Sequence, residues 1–295
     1  MPGAIPFLDS APDLRERLSR AEVLYTDLDG TLLGRGACLL QDGNGAPSLD
    51  AATAVFELNR AGLTCLVCSG RNAKQLMEVS RLLGWNDYIA ELGCVRHYRQ
   101  GPRDVYDTGD WPAGALPAGE TPYEAIIRIG ALERLQERFP GLIEYHDPWH
   151  LDREATHVLR GNVRIAEARA LLATLELPVA IADNGIIHPP KHTLVGVDEV
   201  HAYHLTPAGT SKARAIAADL AERGLPPDRA IAVGDSAADV GMAESVGTMF
   251  VVGNGLDDRA LVERAAPLDN VFATRGRFGT GWRELAQAWL SAKGA

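Results

Sequence analysis

A chain of 295 residues, 46% of them hydrophobic, carries apolar mass for two cores rather than one. Its 39 acidic against 29 basic residues leave a formal charge of -10, which argues against nucleic acid as partner, since a phosphate backbone is bound through basic surface. No apolar run approaches 18 residues and there is no signal-peptide core, so no membrane partner is expected and the expected location is cytoplasmic.

Asp13 to Arg20 reads as a short amphipathic helix. The apolar run Val23-Leu24-Tyr25-Thr26 reads as a buried strand and leads straight into Asp27-Leu28-Asp29-Gly30-Thr31-Leu32-Leu33. Two carboxylates therefore sit at a strand's carboxyl end before a glycine turn, where open α/β sheets place their ligands. One can serve as nucleophile and cation ligand while the other moves protons. Residues 34–47 are glycine-rich. Ser48 is a candidate N-cap for a helix from Leu49 to about Arg60, closed by Gly62. The next strand, from Leu63, ends in Ser69-Gly70-Arg71, and Arg71 to Leu83 reads as a helix closed by Gly84. Asp87 to Gly93 reads as a further strand and its exit.

The segment that follows has its own pattern. Asp110 to Pro122 reads as a loop. Ile126, Ile129, Leu132, Leu135 and Phe139 recur at helical spacing and predict one helix over Ala125 to Arg138. Ala155 to Arg160 reads as a strand and Ile165 to Leu175 as a helix. Val179 to Ala182 and Gly185 to His188 predict a hairpin turning at Asp183-Asn184. Beyond it, Lys212 opens a helix that ends near Gly224, and Ile231-Ala232-Val233-Gly234-Asp235 is another strand ending in acids, Asp235 and Asp239. The alternation of strand and helix predicts a doubly wound parallel sheet.

Taken singly, Ser69 could cap a helix, Lys212 could be a surface lysine and Asp235 a turn residue. Their order is more informative. Asp27/Asp29, Ser69, Lys212 and Asp235/Asp239 resemble, in sequence, the four motifs of the haloacid dehalogenase (HAD) superfamily phosphatases. That resemblance implies a Rossmann-like α/β core and an aspartyl-phosphate mechanism. It implies Asp27 as nucleophile, Asp29 as general acid/base, Thr31 as the threonine usual in the phosphatase branch, and Lys212 holding both nucleophile and phosphate. Ser69 and Gly70 would bind the phosphoryl group. Mg2+ is the implied cofactor, with Asp27, the backbone carbonyl of Asp29, Asp235 and Asp239 as the metal set. An all-oxygen, carboxylate-rich set suits that ion. Where many relatives carry GDxxND, this chain has Ala238 before its last aspartate, and Asn254 is a candidate substitute amide.

Roughly 40 residues separate Asp27 from Ser69 and roughly 140 separate Arg71 from Lys212, whereas one βα unit takes roughly 30. The surplus implies a second domain inserted at 95–203 between core segments 1–94 and 204–295, and this arrangement resembles the large α/β cap of the Cof-like, sucrose-phosphate and mannosyl-phosphoglycerate phosphatases. Glu91-Leu92-Gly93 partly matches the ENG found in the Cof-like branch. Arg71, Arg160, Arg164, His188 and Lys191 are candidates for contacting the leaving group. The seven histidines from His146 to His204 show no tight ligand spacing, and Cys65 and Cys68 lie in an apolar run and read as core. The expected activity is hydrolysis of a phosphate monoester of a small metabolite, a sugar phosphate or phosphoglycerate derivative. The alternatives are a phosphomutase of the phosphomannomutase type and a non-catalytic binding protein.

Overall fold

Strands buried at every position need cover on both faces, and that is where the first motif's strand lies. The computed structural model describes residues 5–11, 13–99, 103–189 and 191–294. Chain order begins α1 (Leu14–Arg20), β1 (Val23–Thr26), α2 (Asp50–Ala61), β2 (Thr64–Cys68), α3 (Ala73–Leu83), β3 (Tyr88–Ala90), β4 (Val95–Tyr98) and β5 (Arg103–Tyr106). It continues through α4 (Pro122–Arg128), α5 (Ala131–Arg138), β6 (Ile143–Tyr145), β7 (His157–Gly161), α6 (Ile165–Leu172), β8 (Val179–Ile187) and β9 (Val200–Pro207). It closes with α7 (Lys212–Arg223), β10 (Ala230–Gly234), α8 (Ala237–Val240), β11 (Thr248–Val251), α9 (Arg259–Ala265), β12 (Val271–Ala273) and α10 (Phe278–Lys293).

The large sheet has the order β12-β11-β10-β1-β2-β3-β4-β5. Its first six strands pair in parallel, and β4 and β5 add antiparallel at one edge. All four residues of β1 and all five of β10 are buried. Apolar residues of α1, α2, α3 and α10 cover one face, with Trp282 fully buried, and those of α7, α8 and α9 cover the other. Cys65 and Cys68 are buried members of these cores. The predicted doubly wound α/β sheet is thus present. No helix among the described residues is long and apolar enough to cross a membrane.

A second sheet, order β6-β7-β9-β8, is antiparallel throughout. Leu159, Ile181, Tyr203 and Leu205 pack with Ala125, Ile126, Leu132, Leu135, Ala168 and Leu172 of α4, α5 and α6, so the helices cover one face of it.

Beside the expected insert at 95–203, β4 and β5 pair with the large sheet through Tyr106, and β9 stays in the second sheet through Pro207. Two expectations are corrected. The predicted hairpin is one strand: both halves of β8 pair with β9, and Asp183 to Ile186 form an irregularity within it. Gly185 takes φ +89° there and its N–H bonds Asp183 Oδ1 at 2.8 Å. Asp-Asn-Gly chemistry that suits a tight turn suits a bulge equally. The single helix over 125–138 is two, because Gly130 adopts φ +72° between α4 and α5, a left-handed step that ends a helix.

Candidate active site

Asp27 leaves β1 between β10 and β2, where the strand order reverses, and its N–H bonds Val233 O at 3.0 Å. The turn behind it needs glycine. Gly30 has φ +87°, and a Cβ there would lie 2.2 Å from Asp235 Oδ2. Thr31 Oγ1 donates to the other oxygen, Asp235 Oδ1, at 2.9 Å. The first motif and the fourth are therefore packed against each other through a residue without a side chain.

Lys212 is buried at the first turn of α7, which Ser211 caps by accepting the Arg214 N–H. Its Nζ donates to Asp27 Oδ1 at 2.6 Å and to Asp239 Oδ1 at 2.7 Å. The second oxygen of Asp239 accepts from Ser236 Oγ at 2.6 Å and from Ser236 N at 3.0 Å. Burial works against charge at Asp239, but Lys212 and Ser236 outweigh it and hold this carboxyl below its usual range. Burial pushes Asp27 the other way, upward against the pull of Lys212, with Asp239 and Asp235 adding repulsion. Asp235 is raised to about 6, by burial first and then by Asp239. Burial opposes the charge on Lys212, yet its two carboxylates hold it well above the ordinary lysine value.

Ligand oxygens of Asp27, Asp235 and Asp239 all lie within 4.8 Å of one another. The donors are carboxylates only, two of them are hard to ionise as they stand, and the cradle is kept open at Gly30. This set fits a hard divalent cation such as Mg2+. Asn254 completes it from the loop after β11: its Nδ2 donates to Gly30 O at 2.8 Å and to Asp235 Oδ2 at 3.3 Å, while its Oδ1 accepts the Phe278 N–H at 2.8 Å. Ala238 offers no side-chain amide, and Asn254 brings one to Asp235 from another loop.

Asp29 faces outward and is held by a two-pronged contact from Arg71, Nε to Oδ2 at 2.7 Å and Nη2 to Oδ1 at 2.6 Å. Its side chain is not among the three carboxylates that cluster within 4.8 Å. Ser69 is buried and does not cap α3; Asn72 does, in a reciprocal pair with Gln75.

The second sheet reaches this loop through contacts that sequence reasoning did not single out. Glu91 is fully buried and accepts from the N–H groups of Glu154, Ala155 and Thr156 and from Thr156 Oγ1. Arg153 bonds Gly70 O at 3.1 Å, and Asn72 Nδ2 bonds Leu151 O at 3.0 Å. The partial ENG match at Glu91 was a usable signal; nothing in the local pattern marks Arg153. Of the insert candidates, Arg160 is buried on β7 and paired with Glu144 at 2.6 Å. Arg164 is paired with Glu167 at 2.6 Å on α6. His188 and Lys191 are exposed beyond Ile187, which pairs with Val200, at the opposite end of β9 from Pro207.

Residues 191–264 match the haloacid dehalogenase-like hydrolase family. A phosphoglycolate phosphatase of Methanospirillum hungatei is 27% identical over 242 residues, 80% of this chain and 85% of that one. A phosphoglycolate phosphatase of Pyrobaculum aerophilum is 26% identical over 92% of this chain and 96% of its own. A haloacid dehalogenase-like hydrolase from Bacteroides thetaiotaomicron has a similar solved structure, with TM-score 0.60 at 15% identity, over 90% of this chain and 98% of that one.

Proposed function

We propose that this chain, which belongs to the haloacid dehalogenase-like hydrolases and is a phosphatase, is a Mg2+-dependent enzyme that hydrolyses the phosphate monoester of a small metabolite through an aspartyl-phosphate on Asp27. The observation that carries the reading is the Lys212 bridge between Asp27 and Asp239 at the reversal point of the sheet. Asp27 Oδ attacks phosphorus as the ester oxygen leaves, and Asp29 supplies the proton to that oxygen. Asp29 then takes a proton from water, which attacks phosphorus and frees Asp27 and inorganic phosphate. A positioned acid/base of this kind contributes about 10²–10⁴-fold.

Arg71 occupies both carboxylate oxygens of Asp29 in the structure, so Asp29 reaches the ester oxygen only once that grip loosens. An incoming phosphoryl group is a competing anion for the guanidinium, and Arg71 passing from Asp29 to phosphate would link substrate arrival to the release of Asp29. Ser69 and the Gly70 backbone lie at the adjoining strand end to bind phosphoryl oxygens. Asp27, Asp235 and the backbone carbonyl of Asp29 would hold Mg2+, with Asp239 beside them keeping Lys212 in place. Bound there, the ion supplies the positive charge that lets an anionic phosphate approach an anionic nucleophile.

The second sheet acts in this reading as the cap that selects the leaving group, a sugar phosphate or an acid such as phosphoglycerate. The phosphoglycolate phosphatase relatives favour the acid. Acid quenching during turnover should trap phosphate on the peptide that contains Asp27, detectable by mass spectrometry. Steady turnover with no phosphorylated peptide, retained in Asp27→Asn, would rule the covalent route out.

A further inference from the structure

One face of the second sheet is not covered by α4, α5 and α6. Side chains alternate across a strand, so with Leu159 and Leu205 in the helix-covered core, Val158 and His204 point to the other face. Val158 pairs with His204, and the N–H of His146 bonds Val158 O at 3.0 Å, so His146, Val158 and His204 form one row across the sheet. That row lies over the second motif: a Cβ on Gly70 would come within 3.7 Å of His204 Cε1. Arg153 touches the same glycine through its carbonyl.

His204 is 7% exposed, and its Nδ1 has no hydrogen-bond partner among the described residues; nor has Nδ1 of His146. Buried polar atoms are almost always paired, so unpaired ring nitrogens at both ends of this row, with the His204 ring beside Gly70, mark a place built for a polar group that comes from outside. Its sign is set by the neighbours. Burial, then Arg153 and His146, hold His204 down to about 3; burial, then Arg160, Arg153 and His150, hold His146 below the usual histidine value, with only Asp147 pulling upward. The nearby acids are already engaged, Glu91 by three backbone N–H groups and a hydroxyl, Glu144 by Arg160 and Thr193.

We propose that His204 and His146, with Arg153 beside them, form the subsite that takes a carboxylate on the leaving group of the phosphoester. The position of the phosphate end rests on the phosphatase reading; the preference for a carboxylate rests on the row itself. A neutral ring donates one hydrogen bond, and the Arg153 guanidinium, whose Nη1 stands 4.0 Å from Glu91 Oε2, keeps two N–H donors that Trp149, Thr156 and Gly70 do not use and that a carboxylate can take. Arg160, one step further along the same face, is occupied by Glu144 and stands behind this site.

The test compares 2-phosphoglycolate with 2-hydroxyethyl phosphate, which replaces the carboxylate by a hydroxymethyl group at equal length. Binding to Asp27→Asn protein in Mg2+ is measured by calorimetry, and phosphate release is measured on the wild type. The expected result is a preference for 2-phosphoglycolate of about tenfold or more that collapses toward one in Asp27→Asn/His204→Gln and in Asp27→Asn/His146→Gln. Affinity for 2-hydroxyethyl phosphate should hardly move. His146 is only partly buried, so its variant keeps the test open if the His204 variant is misfolded. A preference that survives both substitutions, an equal loss for both ligands, or no preference at all overturns the subsite. Phosphate release by the wild type together with no preference sinks the subsite and leaves the phosphatase standing. A histidine-dependent preference with no release does the reverse.

Discussion

At the scale of single residues, the site depends on contacts that leave no slack. Gly30→Ala places a Cβ 2.2 Å from Asp235 Oδ2 at φ +87°. The left-handed backbone alone costs about 1–2 kcal/mol, and the clash moves a carboxylate of the cluster proposed to hold Mg2+. We expect a lower melting temperature and a loss of Mg2+-dependent turnover well beyond what the stability change explains; unchanged activity would mean the Gly30–Asp235 contact is irrelevant to catalysis. Asn254→Ala is the gentler probe. It removes the amide that links Gly30 O, Asp235 and Phe278 N, and it should weaken Mg2+ binding about 10–100-fold, the usual effect of losing a group that orients a metal ligand, in a titration of activity against Mg2+. These core residues were legible in the sequence because their chemistry is tied to strand ends at characteristic spacing. Asn254 was legible only as a candidate, since its partners lie on loops remote in sequence. His204 and Arg153 were not legible, because their placement depends on the register between β7 and β9 and on how the second sheet meets Gly70.

Elements set how the two sheets meet. Glu91 follows β3 with φ +52°, and Leu92 with φ +61°; this left-handed pair turns the Glu91 carboxylate under residues 154–156. Glu91→Ala leaves three backbone N–H groups and the Thr156 hydroxyl without their acceptor in a buried place. Losing one such partner costs about 1–3 kcal/mol, and more where the group is charged. Thermal unfolding should shift down by several degrees, with faster proteolysis in the residues 107–153 segment; a variant as stable and as resistant as wild type would show that Glu91 does not hold the second sheet in place. The elements themselves were mostly legible. The repeating strand and helix of the core read correctly from period and caps, with Gly62, Gly84 and Gly224 ending α2, α3 and α7 in left-handed conformation. The second sheet read less well. Gly130 breaks a helix whose apolar spacing continues through it, Asp183-Asn184-Gly185 makes a bulge in place of a turn, and the edge strands β4 and β5 join the large sheet although the sequence places them beyond its apparent end.

For the whole molecule, charge is the organising quantity. A chain of formal charge -10 that acts on an anion must gather positive charge locally, and it does so with Lys212, Arg71 and Arg153 around the switch point. Metal and protons compete there. Asp235 has a folded pKa raised from 3.8 to about 6, so the folded state holds its proton more tightly than the unfolded one. Its contribution to stability is therefore present below about 3.8 and is lost as pH rises through about 6. A bound cation reverses that loss by preferring the ionised acids. Added Mg2+ should raise the melting temperature more at pH 8 than at pH 5; an equal or larger rise at pH 5 would place the ion away from Asp27 and Asp235.

The central claim is that Asp27 carries out Mg2+-dependent phosphate transfer to water. Inorganic phosphate release from 2-phosphoglycolate, 3-phosphoglycerate and hexose phosphates, with Mg2+ and with a chelator, in wild type and Asp27→Asn, tests it most directly. The account predicts release from at least one of these that requires Mg2+ and falls by at least about 10³-fold in Asp27→Asn, as for loss of a covalent nucleophile. Release that survives the chelator or the substitution would contradict it, as would phosphate moving only between sugar hydroxyls with none set free.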